Sequence, residues 1–224
     1  MAKEKIYVSP SSQTENRYAV GNTTEAKQCR KIAKALVKAL KRCGFDAMTN
    51  VIGDMYARVK ESNKWGASLH IPIHTNAHNK KVKGTRLFCF SKNGEGYKAC
   101  KAIMAALAPI TPGSSDSITV NKVLYENRVA KAPTAYVEVA FHDNPEEARW
   151  IIDNTEAIAE AICKGVCNHF GKPYIPTATA QEPEKAEVLY CVQVGAYRQK
   201  TGAVEMLQKL ANAGFTGIIV ESTK

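Results

Sequence analysis

Short runs of strand-forming residues alternate with amphipathic stretches of helical period from Ile6 to Phe170, and no other feature restricts the fold as much. Strand and helix in strict succession predict a sheet covered by helices. The expected class is α/β: a mostly parallel or mixed twisted sheet with helices on both faces, followed by a small C-terminal βαβ unit. Ile6-Tyr-Val opens the first strand. Ala26, Cys29, Ile32, Ala33, Leu36, Val37 and Leu40 then recur at three- and four-residue intervals, giving the first helix a buried stripe that Gly44 ends. A strand over 46–51 and a polar helix over 55–64 lead to Leu69-His-Ile-Pro-Ile-His74, read as a strand ending at His74. Residues 86–90 read as a strand, 96–107 as a helix and 109–117 as a loop, while 118–125 fits neither period. Ala135-Tyr-Val-Glu-Val-Ala-Phe141 is a further strand. Asn144-Pro-Glu-Glu147 then supplies an N-cap, a proline at the first helical position and a capping-box glutamate for a long helix that breaks near Asn154.

These elements predict a first domain over 1–172, an exposed linker over 173–187 containing Pro173, Pro176, Thr177, Thr179, Pro183 and Glu184, and a tail over 188–224. The tail reads strand 189–194, helix 203–213, Gly214, strand 217–220. At 37 residues it is too short to stand alone and is expected to pack against something else. An unpaired strand edge recruits strands, so self-association to a homo-oligomer through the tail's sheet edge is the expectation.

Composition excludes several classes. A chain of 224 residues, 45% hydrophobic and 23% charged, is neither disordered nor collagen-like. No apolar run reaches the ~18 residues of a membrane span, and Met1-Ala-Lys-Glu-Lys5 lacks the ~7–15-residue apolar stretch of a secretory signal. Synthesis in the cytoplasm is therefore expected. Seven cysteines form an odd set without a Cys-x-x-Cys pair, which predicts reduced core thiols rather than a disulfide framework or a thiolate zinc site. A net charge of +10 suggests a polyanionic neighbour, whether nucleic acid, an anionic membrane or an acidic wall polymer.

Three residues stand out chemically. Glu138 lies mid-strand among Tyr136, Val137, Val139, Ala140 and Phe141, where burial disfavours its ionised form, so it is a functional candidate unless the strand is an edge and the carboxylate faces water. His74 ends an apolar strand, where open α/β sheets collect ligands, and is either a metal ligand or a satisfied structural histidine. His70, His74 and His78 share a helical spacing, but Pro72 and the strand pattern rule that geometry out. Glu25 either closes a capping box with Asn22 or turns its carboxylate towards a metal.

Taken together, Asn22-Thr-Thr-Glu25, Ile71-Pro-Ile-His-Thr-Asn-Ala77 and Val137-Glu-Val-Ala-Phe-His-Asp-Asn-Pro-Glu-Glu-Ala148 resemble the zinc-dependent N-acetylmuramoyl-L-alanine amidases of bacteria and their phages. Arg58 and Lys64-Trp-Gly-Ala-Ser belong to the same match, which extends over about 5–172. The resemblance implies zinc held by Glu25 and His74, with Glu138 as the catalytic carboxylate. It implies hydrolysis of the amide between the lactyl group of N-acetylmuramic acid and L-alanine of the stem peptide. A zinc-activated water would do this, its proton passing through Glu138 to the leaving amine. Asn76, His142 and Arg58 are the implied substrate-binding residues. One departure affects the metal. The family usually has Asp-Pro-Gly-His-Gly-Gly after the first strand, whereas this chain reads Ser9-Pro-Ser-Ser-Gln-Thr-Glu-Asn16 and lacks the histidine ligand. Gln13 is the expected third ligand, with His142 the alternative.

The tail, through Tyr190-Cys-Val-Gln-Val-Gly-Ala-Tyr197, Ala203, Leu207-Gln-Lys-Leu210, Gly214-Phe and Ile218-Ile-Val220, resembles the first half of a SPOR domain. This implies binding to peptidoglycan glycan strands. The expected protein is then a lytic enzyme of phage endolysin or mother-cell type, reaching the wall on lysis. The alternatives are a catalytically impaired wall-binding protein and a metal-dependent stem-peptide peptidase. Nucleic-acid binding is not expected, because the tail lacks the basic, aromatic-interleaved pattern of RNA-binding sheets.

Overall fold

The computed structural model describes residues 3–177 and 193–220. The chain divides into two compact units, Met1–Ala180 and Gln181–Lys224. In the first unit the elements follow as β1 (Lys5–Pro10), α1 (Glu25–Arg42), β2 (Asp46–Thr49), α2 (Met55–Trp65), β3 (Leu69–Asn76), β4 (Arg86–Cys89), α3 (Glu95–Leu107), β5 (Ser117–Val120), α4 (Tyr125–Val129), β6 (Tyr136–Phe141), α5 (Pro145–Asp153) and α6 (Thr155–Phe170). The strands form one six-stranded sheet in the order β2-β1-β3-β6-β4-β5. It is mixed, parallel at every pairing except the antiparallel β4–β6 contact.

Side-chain alternation gives the sheet two unlike faces. Ile6, Val8, Leu69, Ile71, Ile73, Leu87, Val137 and Val139 join Ile32, Leu36, Ile103 and Ile162 of α1, α3 and α6 in one dry core. The intervening residues Tyr7, Ser9, His70, His74, Tyr136 and Glu138 point the other way. There Tyr7 donates to Glu61 and His70 meets Ser62, both on α2, while Ser9 donates to Glu126 on α4.

Backbone contact sets the distance between α3 and α6. A Cβ on Gly165 would lie 2.5 Å from the Ile103 Cα and 2.8 Å from the Ala102 oxygen. Gly165→Ala is therefore expected to destabilise the protein by about 1–3 kcal/mol, the usual scale of overpacking. A urea midpoint equal to that of the parent would show slack between these helices.

Several expectations change in detail. The ambiguous 118–125 stretch is the body of β5 and the start of α4, and β3 runs on past His74 to Asn76. The helix break at Asn154 is present, with α5 ending at Asp153 and α6 starting at Thr155. Glu147 closes no capping box. It is fully buried, and its carboxylate accepts from the N–H groups of Phe141 (2.6 Å) and Gly84 (2.7 Å), tying the end of β6 to the loop before β4.

In the second unit α7 (Lys200–Asn212) forms where a helix was expected. Most of the expected 189–194 strand lies outside the described residues, as do Thr179, Pro183, Glu184 and Cys191, and 217–220 joins no ladder among those described. A strand without its partner has nothing to satisfy its N–H and C=O groups, and no sheet edge for self-association is formed among the described residues. No helix among them is long and apolar enough to cross a membrane.

Candidate active site

The loop after β1 folds back onto the head of α1. Ser11 N–H donates to Ile73 O (2.8 Å), Ala26 N–H to Gln13 O (3.1 Å) and Glu25 N–H to Asn16 O (2.9 Å). Thr24 caps the helix, its hydroxyl accepting from Lys27 N–H. Asn22 sits before the cap at φ +41°. The capping box between Asn22 and Glu25 is thus absent: Glu25 is the first helical residue, and its buried carboxylate turns inward instead. Its Oε1 lies 2.7 Å from His74 Nδ1, and its Oε2 accepts from Asn16 Nδ2 at 2.6 Å.

Both nitrogens of His74 are engaged. Nδ1 faces Glu25 and the Gln13 amide, 3.5 Å away, while Nε2 lies 3.8 Å from Glu126 Oε2. The ring stacks on Tyr136 at 4.7 Å between centroids, which fixes its plane. Burial opposes charge on this imidazole, but hydrogen bonds to Glu126 and Glu25 raise its pKa to about 10 without a metal. Glu126 accepts from Ser9 Oγ (2.5 Å) and pairs with His70 Nε2 (3.1 Å). Burial disfavours its ionised form, yet His70 and His74 hold its pKa down to about 2. Sequence reasoning missed Glu126 altogether. It dismissed only a helical role for His70, which proves to be the satisfied structural histidine, bonded at both nitrogens and stacked on Tyr7.

Glu138 is the cross-strand neighbour of His74 in the β3–β6 ladder. Its strand lies between β3 and β4, so the edge-strand alternative fails. Burial raises its pKa to about 7, against the pull of His74 and with help from the Glu25 charge. Oε2 of Glu138 is buried and has no hydrogen-bond partner among the described residues. A carboxylate left unpaired beside converging nitrogen and oxygen donors is a strained arrangement that a cation and its water would relieve. Glu25 Oε1, His74 Nδ1 and the Gln13 amide form a borderline donor set suited to zinc, with Glu126 behind the histidine in the position of the carboxylate in a carboxylate–histidine–zinc triad.

The remaining candidates are sorted by burial. Asn76, half-buried, lines a cavity of about 280 Å³ with His78, Arg86, Ser115 and Phe141. Arg86 stands opposite Glu138 in the β4–β6 backbone register, while its guanidinium donates to Ser115 and Ser117. His142 is buried against Tyr18, with Nδ1 held by Thr75 O at 2.8 Å, and it does not reach the His74–Glu25 pair as a ligand. Arg58 corrects an expectation outright. It is 1% exposed and donates through Nε to Asn50 O, so it has no surface with which to touch a polymer. Its burial lowers its pKa, and its charge faces Glu126.

The N-acetylmuramoyl-L-alanine amidase family profile matches residues 6–168, and the SPOR domain profile matches 186–224. Among curated proteins, the germination-specific N-acetylmuramoyl-L-alanine amidase of Bacillus subtilis is 30% identical over 120 residues, which is 52% of this chain and 51% of that protein. An uncharacterized protein of Clostridium perfringens is 26% identical over 154 residues, 65% of this chain and 46% of its own length. The chain thus spans about half the length of the curated relatives it matches. Among solved structures, the catalytic domain of the amidase CwlV from Bacillus (Paenibacillus) polymyxa var. colistinus aligns with a TM-score of 0.68 at 14% identity, over 76% of this chain and 99% of that one. CwlD from Clostridioides difficile, solved in complex with the GerS lipoprotein, aligns at 0.66 and 16% identity, over 75% and 99%. With the family profile spanning nearly all of the sheet and both partners of the His74–Glu138 pair, the chain belongs to the N-acetylmuramoyl-L-alanine amidase family.

Proposed function

We propose that this protein hydrolyses the amide between the lactyl group of N-acetylmuramic acid and L-alanine, with zinc at Glu25, His74 and Gln13 and with Glu138 as general base and acid. The observation that carries the reading is the unpaired Glu138 Oε2 next to the Glu25–His74 pair. Zinc, when bound, would supply Lewis acidity for the scissile carbonyl and acidify a water. Every other task falls to the chain. Glu126 favours the proton on His74 Nε2, so that Nδ1, hydrogen-bonded to Glu25 without a metal, is the nitrogen that would give up its proton to become a ligand, and Tyr136 keeps the ring from turning. Glu138 accepts the water's proton at Oε2 and passes it to the departing alanine nitrogen. Asn76, at the end of the strand that carries His74, and Arg86, which lines the same cavity, would orient the stem peptide. The SPOR match supports glycan-strand binding by the tail, with the cell wall as the site of action.

Mass spectrometry of digested peptidoglycan tests the reaction. Intact stem peptides beginning with L-alanine, together with peptide-free glycan, are expected. Cuts inside the peptide would make the protein a peptidase, and an absence of soluble product would make it a wall-binding protein. The third ligand has its own test. Gln13 presents its amide nitrogen to His74, and a half-turn of the amide, giving up the bond its oxygen accepts from Asn16 Nδ2, would put that oxygen in the same place. Gln13→Ala is expected to weaken zinc binding in calorimetric titration by at least ~10-fold, the scale of losing even an outer-shell partner. Unchanged affinity would refute the ligation.

A further inference from the structure

Where the end of α1 meets α6, on the dry side of the sheet, three thiols converge. Cys43 caps α1, and Cys163 and Cys167 lie one turn apart on one face of α6. Their sulfurs are all within 4.8 Å of one another, and no other trio of His, Cys, Asp or Glu among the described residues is gathered so closely. Cys163 Sγ stands 3.7 Å from Cys43 Sγ. Two thiolates on one tetrahedral zinc, each bonded at about 2.3 Å, are roughly 3.8 Å apart.

The surroundings are not those of thiols kept for packing alone. The Ile175 N–H donates to Cys43 Sγ at 3.3 Å, and the Ile175 carbonyl lies 3.6 Å from the same sulfur. That carbonyl is held by Arg42 Nε at 2.7 Å, while Arg42 and Tyr174 both donate to Glu160. Burial raises the pKa of both the Cys163 and the Cys167 thiols, and the Lys172 charge opposes it only in small part at Cys167. Burial therefore keeps this pair protonated until a cation takes the place of the protons.

We propose that Cys43, Cys163 and Cys167 form a second metal site, for a thiophilic divalent cation of the zinc group, distinct from the site at Glu25 and His74. On binding, each thiol releases its proton to water as its sulfur takes the cation. The three thiolates leave one net negative charge beside Lys172 and the Ile175 N–H, and affinity rises with pH. The bound ion would clamp α6 against the end of α1.

Cadmium added to the reduced full chain provides the readout, through the ultraviolet thiolate-to-cadmium charge-transfer band, which carboxylate, imidazole and amide ligands do not give. A band saturating at one equivalent is expected, retained in His74→Ala and Cys100→Ser and lost in Cys163→Ser. Cys167→Ala should abolish it equally, which covers the case in which Cys163→Ser does not fold. No band in the parent protein, or a band that survives both substitutions, would overturn the site. So would a Cys43–Cys163 disulfide in unreduced protein that takes up no cadmium after reduction.

Discussion

Glu138→Gln is expected to lower peptidoglycan hydrolysis by about 10²–10⁴-fold, the usual contribution of a positioned general base, while leaving zinc affinity within a few-fold of the parent. The side chain keeps its shape and loses only the ability to take a proton. Stability should not fall and should rise at alkaline pH. The folded state holds the Glu138 proton more tightly than the unfolded chain, so ionising it costs stability as pH climbs from the ordinary carboxylate range through about 7. The glutamine variant removes that slope. Activity runs the opposite way with pH, since only ionised Glu138 accepts a proton. The parent should lose kcat/KM as pH falls through the Glu138 pKa, at or below 7 because a bound cation favours the carboxylate. Thermal melts and rate profiles across pH check both signs. A glutamine variant with near-parental turnover would remove Glu138 from the reaction.

The second large effect is structural. Glu126→Ala leaves the Nε2 atoms of both His70 and His74 and the Ser9 hydroxyl facing an empty space in the interior. Breaking a buried ion pair from one side costs about 3–5 kcal/mol. Glu126→Gln keeps the volume and some hydrogen bonding and should unfold closer to the parent, yet bind zinc about 10- to 100-fold more weakly, because the carboxylate behind His74 is gone. Glu126 is held well below the ordinary carboxylate range, so its contribution is complete above that range and is lost as pH falls towards 2. Urea melts in acid should therefore show a shallower pH slope in both variants. Parental zinc affinity in Glu126→Gln would mean that the carboxylate only supports the fold.

The contrast between Glu138 and Glu126 shows where reading the sequence succeeds. The strands were legible because period-two apolar runs leave few other options, and a glutamate inside such a run is conspicuous. Glu126 sits in a five-residue helix with no periodicity, and its partners Ser9 and His70 are 117 and 56 residues away. Nothing local marks it. The capping box assigned to Glu147, and the one weighed as an alternative for Glu25, failed for a related reason. A short pattern predicts a local bond, but Glu25 found His74 49 residues away and Glu147 found Gly84 63 residues away. Arg58 belonged to a matching motif, yet the position that fits the pattern lies inside the protein. The thiol trio was invisible for the same reason, since Cys43 and Cys163 are 120 residues apart.

The two unlike faces of the sheet put cohesion and chemistry on alternate letters of the same strands. In β3 and β6, positions 69, 71, 73, 137 and 139 belong to the aliphatic interior, while 70, 74, 136 and 138 line the opposite face, where the candidate site lies. Point substitutions can therefore retune one property without touching the other. Insertion or deletion of a single residue within either strand has no such freedom: it would exchange the two sets, sending carboxylate and imidazole into oil and isoleucine among the polar groups of the other face.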